Sequence, residues 1–423
     1  MKIGIVTVQY ANNFGAALQA YGLKSVLEKM GHQVFYIKNC TDKYARGLFY
    51  RIRPYGKEYR YLPSFFLKNY RGWKQYQAFR SVRKEFPVVK CWTEKQLDLV
   101  ILGSDEIWNV TNLLFRQPIF YGQNMYPVMS YATSIGNATY DDMRIIPAEY
   151  FENINPVLVR DTLTWKYLKS IGISSKKVCD PTLLAEKDVF SHPYYHRLMK
   201  NPYLLVYAYG HLETEKVKQS IRDFANRQGL KVISVCFYLD WCDGTINCSP
   251  MEFSAVIEHA EYVYTSTFHG TIFSIINHKS FISLPYSVKT VDLLQLLHLS
   301  DRLVSLEKCD EKILEKKWLY DSIAYDSVDE EIKHQRLQSE KLLIDGINKY
   351  SKKVSDKFDK VVPQLFEKNF ECCGCSACYA ICPVHAIYME EDIEGFLYPQ
   401  IIENRCIRCN QCVDICNIKG KLN

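Results

Sequence analysis

The chain has 423 residues, which is enough for two or three domains of ordinary size. Its 53 Lys and Arg against 47 Asp and Glu give a formal charge of +6, too low for a nucleic-acid-binding protein, so we expect no nucleic-acid partner. No stretch approaches the roughly 18 consecutive apolar residues of a transmembrane helix. The first residues lack a cleavable leader pattern, so we expect a cytoplasmic protein.

The opening of the chain predicts a strand, a helix and a second strand. Residues 2–8 read KIGIVTV, an apolar run typical of a parallel strand covered on both faces. The following GAALQAYGLKSVLEKMGH has apolar residues at helical spacing, and QVFYIKN is apolar again. Because parallel strands joined by helices build doubly wound sheets, we predict an α/β fold.

A basic and aromatic stretch follows at residues 43–84, in which Glu58 is the only acidic residue. Two interpretations are open. In the first, the stretch is a helical excursion whose aromatic side chains pack and whose cations are solvated. In the second, it is a face for an anionic glycan or for a lipid-linked acceptor at the membrane surface, which implies peripheral membrane association.

Polar side chains follow several of the predicted strands. LDLVILGSDEIWN places Ser104 and Asp105 directly after an apolar run, and PVMSYATSIGN repeats this design. Ligands of α/β sheets bind at the carboxyl ends of strands, so we expect a site at these turns. Asn12, Asn13 and Gly15 follow the first strand. We predict that they face the cleft and bind hydroxyl groups of a substrate there. The alternative for Asn and Asp is that they cap helices or hold turns.

A second series of strands and helices begins at YLLVYAYG. A helix is predicted from Lys216 to Gln228, followed by the strand KVISVCFYL and by EFSAVIEHAEYVYTSTFHGTIFSI. We therefore predict two Rossmann-like domains, residues 1–190 and 191–350, with a closing helix at the end of the second. A linker at 351–369 and a small ferredoxin-like α+β module at 370–423 complete the predicted organisation.

Two cysteine runs define that module. Each has the spacing C-x2-C-x2-C-x3-C, which is typical of ligands to 4Fe-4S clusters. In a two-cluster ferredoxin the fourth cysteine of each run binds the other cluster, so we predict two 4Fe-4S clusters. The first would use Cys372, Cys375, Cys378 and Cys416, and the second Cys406, Cys409, Cys412 and Cys382. The alternative is zinc, which rarely takes four thiolates from one such compact run.

The module resembles the front part of proteins related to the flavin-binding beta subunit of deazaflavin-reducing hydrogenases, especially in EDIEGFLYP. In that family a flavin domain follows, whereas this chain ends at Asn423. The resemblance therefore implies a separate flavoprotein as redox partner. The alternative is that the module is a remnant.

The stretch TSTFHGTIFSIINHKSF places Ser266, His269 and Gly270 where a strand ends and a helix begins. A helix N-terminus offers free backbone N–H groups to an anion such as phosphate or carboxylate. A single histidine is often structural, but histidine also titrates near neutral pH and suits acid–base catalysis. We predict a functional role for His269.

An ordered series of motifs resembles the polysaccharide pyruvyl transferase family over residues 1–350: NNFGAALQAYGL, LGSDEIWN, YATSIGN, VLVRD, CDPTLL, YLLVYAYG and AEYVYTSTFHGTIFSI. The resemblance implies a two-domain fold similar to GT-B glycosyltransferases. It also implies transfer of the enolpyruvyl carbons of phosphoenolpyruvate to sugar hydroxyls of a cell-surface polysaccharide precursor, commonly as a ketal. His269 matches the family's histidine and is the implied general acid.

The carboxylate and phosphate of such a donor need cations, and Arg160 in VLVRD is the first candidate. An Arg-Asp pair at a strand end is otherwise a common structural salt bridge. Many relatives have an arginine in a Ser-Arg-x-His arrangement, where this chain has Thr267. Lys289 or Lys279 would then supply the missing charge.

A second hypothesis makes the chain an electron-transfer subunit of a redox complex, in which the α/β part is a binding scaffold. This hypothesis predicts that His269→Ala leaves the activity intact. An acid–base role predicts a loss of roughly 10²–10⁴-fold. Because the resemblance covers most of the chain, we favour the transferase.

Overall fold

The computed structural model describes residues 1–43, 62–91, 95, 97–123, 125, 127–209, 214–284, 287–359, 362–403, 405, 406, 408, 410–416 and 418. Within these residues the chain forms two parallel sheets covered by helices and a small module around an antiparallel hairpin. Among the helices formed by these residues, none has both the length and the apolar content needed to cross a bilayer.

The first sheet has the strand order β3-β2-β1-β4-β5 with all strands parallel, which is the order of a Rossmann sheet. Its strands are β1 (Lys2–Val6), β2 (Gln33–Ile37), β3 (Val88–Val89), β4 (Leu99–Leu102) and β5 (Val128–Ser130). A parallel pair, β6 (Val157–Val159) and β7 (Ser175–Lys177), continues the sheet through a bridge between Thr133 and Val159.

The α-helices that the described residues of this first unit form are α1 (Phe14–Lys29), α2 (Leu62–Ser81), α3 (Tyr140–Met143), α4 (Glu149–Glu152), α5 (Thr162–Ser170) and α6 (Pro181–Leu184). The start of α1 is fixed by Asn13, whose side chain accepts a hydrogen bond from the backbone N–H of Ala16 at 3.3 Å. This cap directs the first helix away from the carboxyl end of β1.

The second sheet repeats the same parallel order, β10-β9-β8-β11-β12. Its strands are β8 (Tyr203–Tyr207), β9 (Lys231–Val235), β10 (Gly244–Ile246), β11 (Tyr262–Thr265) and β12 (Ser280–Ser283). Its helices are α7 (Glu215–Arg227), α8 (Phe253–Glu258), α9 (Phe268–Ile276), α10 (Val288–Leu296) and α11 (Glu311–Glu315). The predicted helix from Lys216 to Gln228 is therefore observed as α7, shifted by one residue.

The two units share a core. Phe14 at the start of α1 stacks on Phe79 of α2 with ring centroids 5.1 Å apart, and on Phe253 of the second unit with centroids 4.4 Å apart. The long helix α12 (Tyr325–Asp359) then returns from the second unit to the first. There Ser339 accepts a hydrogen bond from the backbone of Cys179 at 2.9 Å. The closing helix thus connects both units.

The cysteine module contains α13 (Ala377–Ile381), the antiparallel strands β13 (Ile387–Glu391) and β14 (Leu397–Ile401), and α14 (Gln411–Asp414). The predicted fold, two Rossmann-like units with a small α+β module, is confirmed. The predicted domain boundaries stay predictions.

Candidate active site and cysteine module

The site lies where the carboxyl ends of strands from both sheets meet. Arg160 follows β6, His269 follows β11, and Asp105 follows β4. Asp180, which precedes α6, contacts both Arg160 and His269, and Arg160 also pairs with Asp105. The ends of four separate segments, far apart in sequence, thus form one charged cluster.

Arg160 is the cation at the centre of this cluster. Its Nη1 donates to Oδ2 of Asp180 at 2.7 Å, and its Nη2 lies 3.6 Å from Oδ1 of Asp105. Burial alone would lower the pKa of the guanidinium, but Asp180 and Asp105 raise it above its ordinary value. Its Nε and Nη2 are buried and have no hydrogen-bond partner among the described residues. Arg160 therefore stays charged and keeps donor capacity for a ligand.

Asp180 was not among the predicted site residues. It caps α6 by accepting hydrogen bonds from the backbone and the hydroxyl of Thr182, at 3.0 and 2.7 Å. Burial would raise its pKa, but His269 and Arg160 lower it well below its usual range. Asp180 is therefore an ionised carboxylate that links the arginine to the histidine. Its position before Pro181, in the CDPTLL motif, was the sequence signal.

His269 lies at the start of α9, whose N-cap is Thr267. The Oγ1 of Thr267 accepts from the N–H of Gly270 at 2.9 Å, so this hydroxyl completes a helix cap. His269 is buried, and its Nε2 lies 3.6 Å from Oδ1 of Asp180, just beyond hydrogen-bond range. A Cβ added at Gly15 would lie 2.0 Å from His269 Nδ1, so only glycine leaves room for the ring.

Lys289, at the start of α10, lies in the same site. Its Nζ forms an ion pair with Glu106 and lies 5.1 Å from the centroid of the Phe268 ring. Arg160 lies over the same ring at 5.0 Å. Burial would raise the pKa of Glu106, but Lys289 and Arg160 lower it to about 2. Phe268 thus separates two cations that are both balanced by carboxylates.

Lys279, the other candidate cation, lies elsewhere. It follows the C-terminal end of α9, and its Nζ donates to the backbone carbonyl of Glu258 at 2.9 Å. Of the two lysines, the structure brings only Lys289 to the cluster.

Four predicted residues hold the turns around the site. Asn13 caps α1, and Ser104 donates to Gln19 while its carbonyl accepts from Thr7 at 3.0 Å. Ser266 accepts from the backbone N–H of Tyr209 at 2.9 Å, and Gly270 donates to Thr267. Contacts of Asn13, Ser104, Ser266 and Gly270 with a substrate stay predictions.

Several buried polar atoms at this edge are unsatisfied. Asn12 is 4% exposed, yet neither its amide nitrogen nor its amide oxygen has a hydrogen-bond partner among the described residues. The Oγ1 of Thr133 and the Nε2 of His269 share this property. A buried unsatisfied polar atom costs about 1–3 kcal/mol. Buried polar atoms of this kind are candidates for contact with a polar ligand.

A cavity of about 540 Å³ opens beside the cluster. Arg160, Asp180, Phe268 and Lys289 form its wall toward the cluster. The opposite side carries polar residues of α10 and α12: Asp292, Gln295, Gln335 and Gln338. This cavity has the size and the mixed lining of a small-molecule site.

The described residues of the two cysteine runs share two left-handed backbone positions. The second and fourth residues after the first cysteine have a left-handed φ in both runs: Gly374 (66°), Ser376 (58°), Arg408 (53°) and Asn410 (61°). The N–H of Gly374 points to the sulfur of Cys372 at 3.5 Å, and the N–H of Arg408 points to the sulfur of Cys406 at 3.4 Å. Such N–H groups stabilise a thiolate.

Cysteines of the two runs line two separate cavities, and the predicted ligand sets stay predictions. The first cavity is lined by Cys372, Cys375, Cys378 and Cys416, together with Cys373 and Cys412. The second is lined by Cys382, Cys406 and Cys412. Cys409 lies outside the described residues. Among the described residues no three Cys, His, Asp or Glu side chains are grouped around a single metal position. The all-thiolate donor set fits iron–sulfur clusters.

The fold and the site define an α/β enzyme with two Rossmann-like units and an appended iron–sulfur domain. The sequence pattern of the polysaccharide pyruvyl transferase family matches residues 13–288, and that of a 4Fe-4S dicluster domain matches residues 371–419. The chain belongs to the polysaccharide pyruvyl transferase family.

Solved structures with similarity to this chain include the S. aureus MnaA-UDP complex, with 13% identity over 83% of this chain and 97% of that one, at a TM-score of 0.46. The UDP-GlcNAc 2-epimerase of Methanocaldococcus jannaschii has 11% identity over 79% and 99%, at a TM-score of 0.41. The glycosyltransferase SnogD of Streptomyces nogalater has 12% identity over 81% and 99%, also at 0.41. No curated protein matches the sequence significantly.

Proposed function

We propose that the protein transfers the pyruvyl group of phosphoenolpyruvate to hydroxyls of a glycan, or lipid-linked glycan, precursor of a cell-surface polysaccharide in the cytoplasm. The observation that carries this proposal is the unsatisfied donor capacity of Arg160 beside the cavity. The donor's carboxylate and phosphate are anions that would occupy it. Family membership supports the reaction class.

In this proposal the donor binds between Arg160 and Lys289. Nη1 of Arg160 keeps its bond to Asp180, while Nε and Nη2 bind the anion. Lys289 exchanges its ion pair with Glu106 for the second anionic group of the donor. Lys289 then supplies the charge that many relatives carry at the position of Thr267.

His269 acts as the general acid, and Asp180 orients its ring. Protonation of the methylene carbon of phosphoenolpyruvate makes its central carbon electrophilic. A sugar hydroxyl attacks that carbon, phosphate leaves, and a second hydroxyl closes the ketal. Oδ1 of Asp180 lies 3.6 Å from Nε2 of the histidine, close enough to fix the orientation of the ring.

The acceptor sugar is assigned to the side of the cavity that α10 and α12 line. Gln295, Gln335 and Gln338 offer both donors and acceptors, which suits hydroxyl groups. The neighbouring Leu293 and Leu296 provide apolar surface for a sugar ring. Asn12, at the other edge of the cluster, is a further contact for the donor or the acceptor.

The cysteine module is proposed to bind two 4Fe-4S clusters with crossed fourth ligands, Cys416 for the first and Cys382 for the second. Bound clusters store and pass single electrons. Ketal formation consumes no electrons, so the module serves a separate redox step, for which a flavoprotein is the proposed partner. The lining of the two cavities supports this assignment.

The transfer is tested by incubating the anaerobically purified chain with phosphoenolpyruvate and a lipid-linked glycan extract. Phosphate release and the mass of the glycan are followed together. Lys289→Ala should raise the KM for phosphoenolpyruvate about 10- to 100-fold, the usual value of a charged hydrogen bond. Lys279→Ala is the matched control and should leave KM unchanged. Equal effects of the two variants, or phosphate release without a mass gain of the glycan, would contradict the proposal.

A further inference from the structure

Helix α2 exposes an apolar stripe on its outer face. Phe66, Leu67, Tyr70 and Trp73 are 60%, 50%, 52% and 43% exposed. Residues 66, 70 and 73 follow one another at helical spacing and therefore share one side of the helix. The opposite side is buried against the core through Phe65, Tyr76 and Phe79. The helix is thus apolar on two faces, of which the residues described by the structure cover one.

The exposed face is also basic. Tyr70 and Trp73 stack with ring centroids 6.2 Å apart, and Lys74 lies 4.6 Å from the Tyr70 ring. Arg71 lies 4.2 Å from the ring of Tyr238, which is itself 44% exposed. The sequence of α2 contains four Lys or Arg residues and no Asp or Glu. Any partner of this face must therefore be apolar and negatively charged.

An anionic bilayer surface has both properties. Trp and Tyr side chains lie at the headgroup level of membranes, and Phe and Leu reach below it. Lys and Arg on the same helix are attracted by anionic headgroups. A protein partner would more often present discrete pockets for aromatic anchors. We infer that the face formed by Phe66, Leu67, Tyr70, Trp73 and Lys74 docks the protein on an anionic membrane surface.

Helix α2 contacts both Rossmann-like units. Gln75 donates to the backbone carbonyl of Cys248 at 2.8 Å, so α2 spans from the first unit to the second. Phe79 stacks on Phe14, the residue before Gly15, which contacts His269. The helix that carries the exposed face therefore also packs, through its buried side, against the residues that shape the cleft. The docking itself does not depend on the proposed transfer.

The test is co-sedimentation of the full chain with vesicles, in the absence of donor and acceptor. Vesicles of phosphatidylglycerol and phosphatidylcholine are compared with phosphatidylcholine alone. The wild type should bind the anionic vesicles more tightly, and Phe66→Ser/Tyr70→Ser/Trp73→Ser should lower the partition coefficient at least about tenfold. The matched control is Leu113→Ser/Tyr320→Ser, which removes side chains that are 68% and 73% exposed elsewhere. This control should bind as the wild type does.

A second variant changes only charged residues, so that the inference can be tested even if the triple variant does not fold. Lys74→Glu/Arg80→Glu changes two exposed residues, and circular dichroism checks that the fold is kept. Its partition onto anionic vesicles should fall about tenfold or more, with little change on neutral vesicles. Absent binding by the wild type, equal binding to neutral vesicles, or retained binding by both α2 variants would overturn the inference. A dimer that only the triple variant loses, without vesicle binding, would assign the face to self-association instead.

Discussion

The pair of Rossmann-like units and the cysteine module are held together by different forces. The pair buries large side chains completely, among them Trp108, Tyr36 and Phe14. Half of the eight buried residues in the module's core cluster are cysteines, and Ile393 at its hairpin is fully exposed. Domains of this small size usually need metals or disulfides. We therefore expect the pair to fold by burial and the module to fold by ligation of its clusters, so that the chemistry of the two regions is separable.

Removal of a cluster ligand should give the largest effect and should be confined to the module. Cys378→Ser is expected to abolish the iron–sulfur absorbance and to expose the module's amides to rapid hydrogen exchange, because the cluster is part of the fold. Cys373→Ser, which changes an exposed thiol outside both ligand sets, is the matched control. If the amides of the two sheets also lost protection in the Cys378 variant, the two Rossmann-like units would not be independent of the module.

The second effect concerns catalysis and should be confined to the two Rossmann-like units. His269→Gln should lower kcat for pyruvyl transfer roughly 10²–10⁴-fold through loss of the general acid, with iron content unchanged. His278→Gln, at an exposed histidine paired with Asp329, is the control and should keep full activity. Full activity of the His269 variant would instead favour the redox-scaffold hypothesis.

The third effect concerns stability. It compares the contributions of a buried and an exposed ion pair to the free energy of unfolding of the two Rossmann-like units. Arg160→Ala leaves Asp180 and Asp105 without their cation, and should lower the free energy of unfolding by about 3–5 kcal/mol. Arg144→Ala removes an exposed pair with Asp141 and should cost less than about 1 kcal/mol. Chemical denaturation followed by fluorescence measures both. Similar values for the two variants would show that the cluster contributes little to the fold.

The smallest effect is a pH dependence. The pKa of Glu106 in the folded protein is about 2, below its ordinary value of 4.5, so folding favours its ionised form. Its contribution is complete above pH 4.5 and is lost as the pH falls toward 2. The stability advantage of the wild type over Glu106→Gln should therefore shrink by about 3 kcal/mol across this window. An advantage that is constant or grows at low pH would contradict the ion pair with Lys289.

The sequence predicted the fold more completely than the site. Alternating strand and helix patterns identified both sheets, because apolar periodicity is local information. The motifs also singled out Arg160 and His269, which the structure brings to one cluster through Asp180, while their roles stay predictions. The sequence missed Asp180, since an Asp before Pro181 is an ordinary helix cap, and Asp180 is one as well. The return of α12 to the first unit depends on contacts such as Ser339 with Cys179, which no local pattern encodes.

The central claim, that the pair of units binds phosphoenolpyruvate at Arg160 and Lys289 without help from the module, is tested most directly by calorimetric titration. Phosphoenolpyruvate is titrated into the anaerobically purified wild type, into Lys289→Ala and into Cys378→Ser. We predict micromolar to millimolar binding that weakens in the Lys289 variant and is unchanged in the Cys378 variant. Absence of binding by the wild type, or binding that disappears with the clusters, would contradict the account.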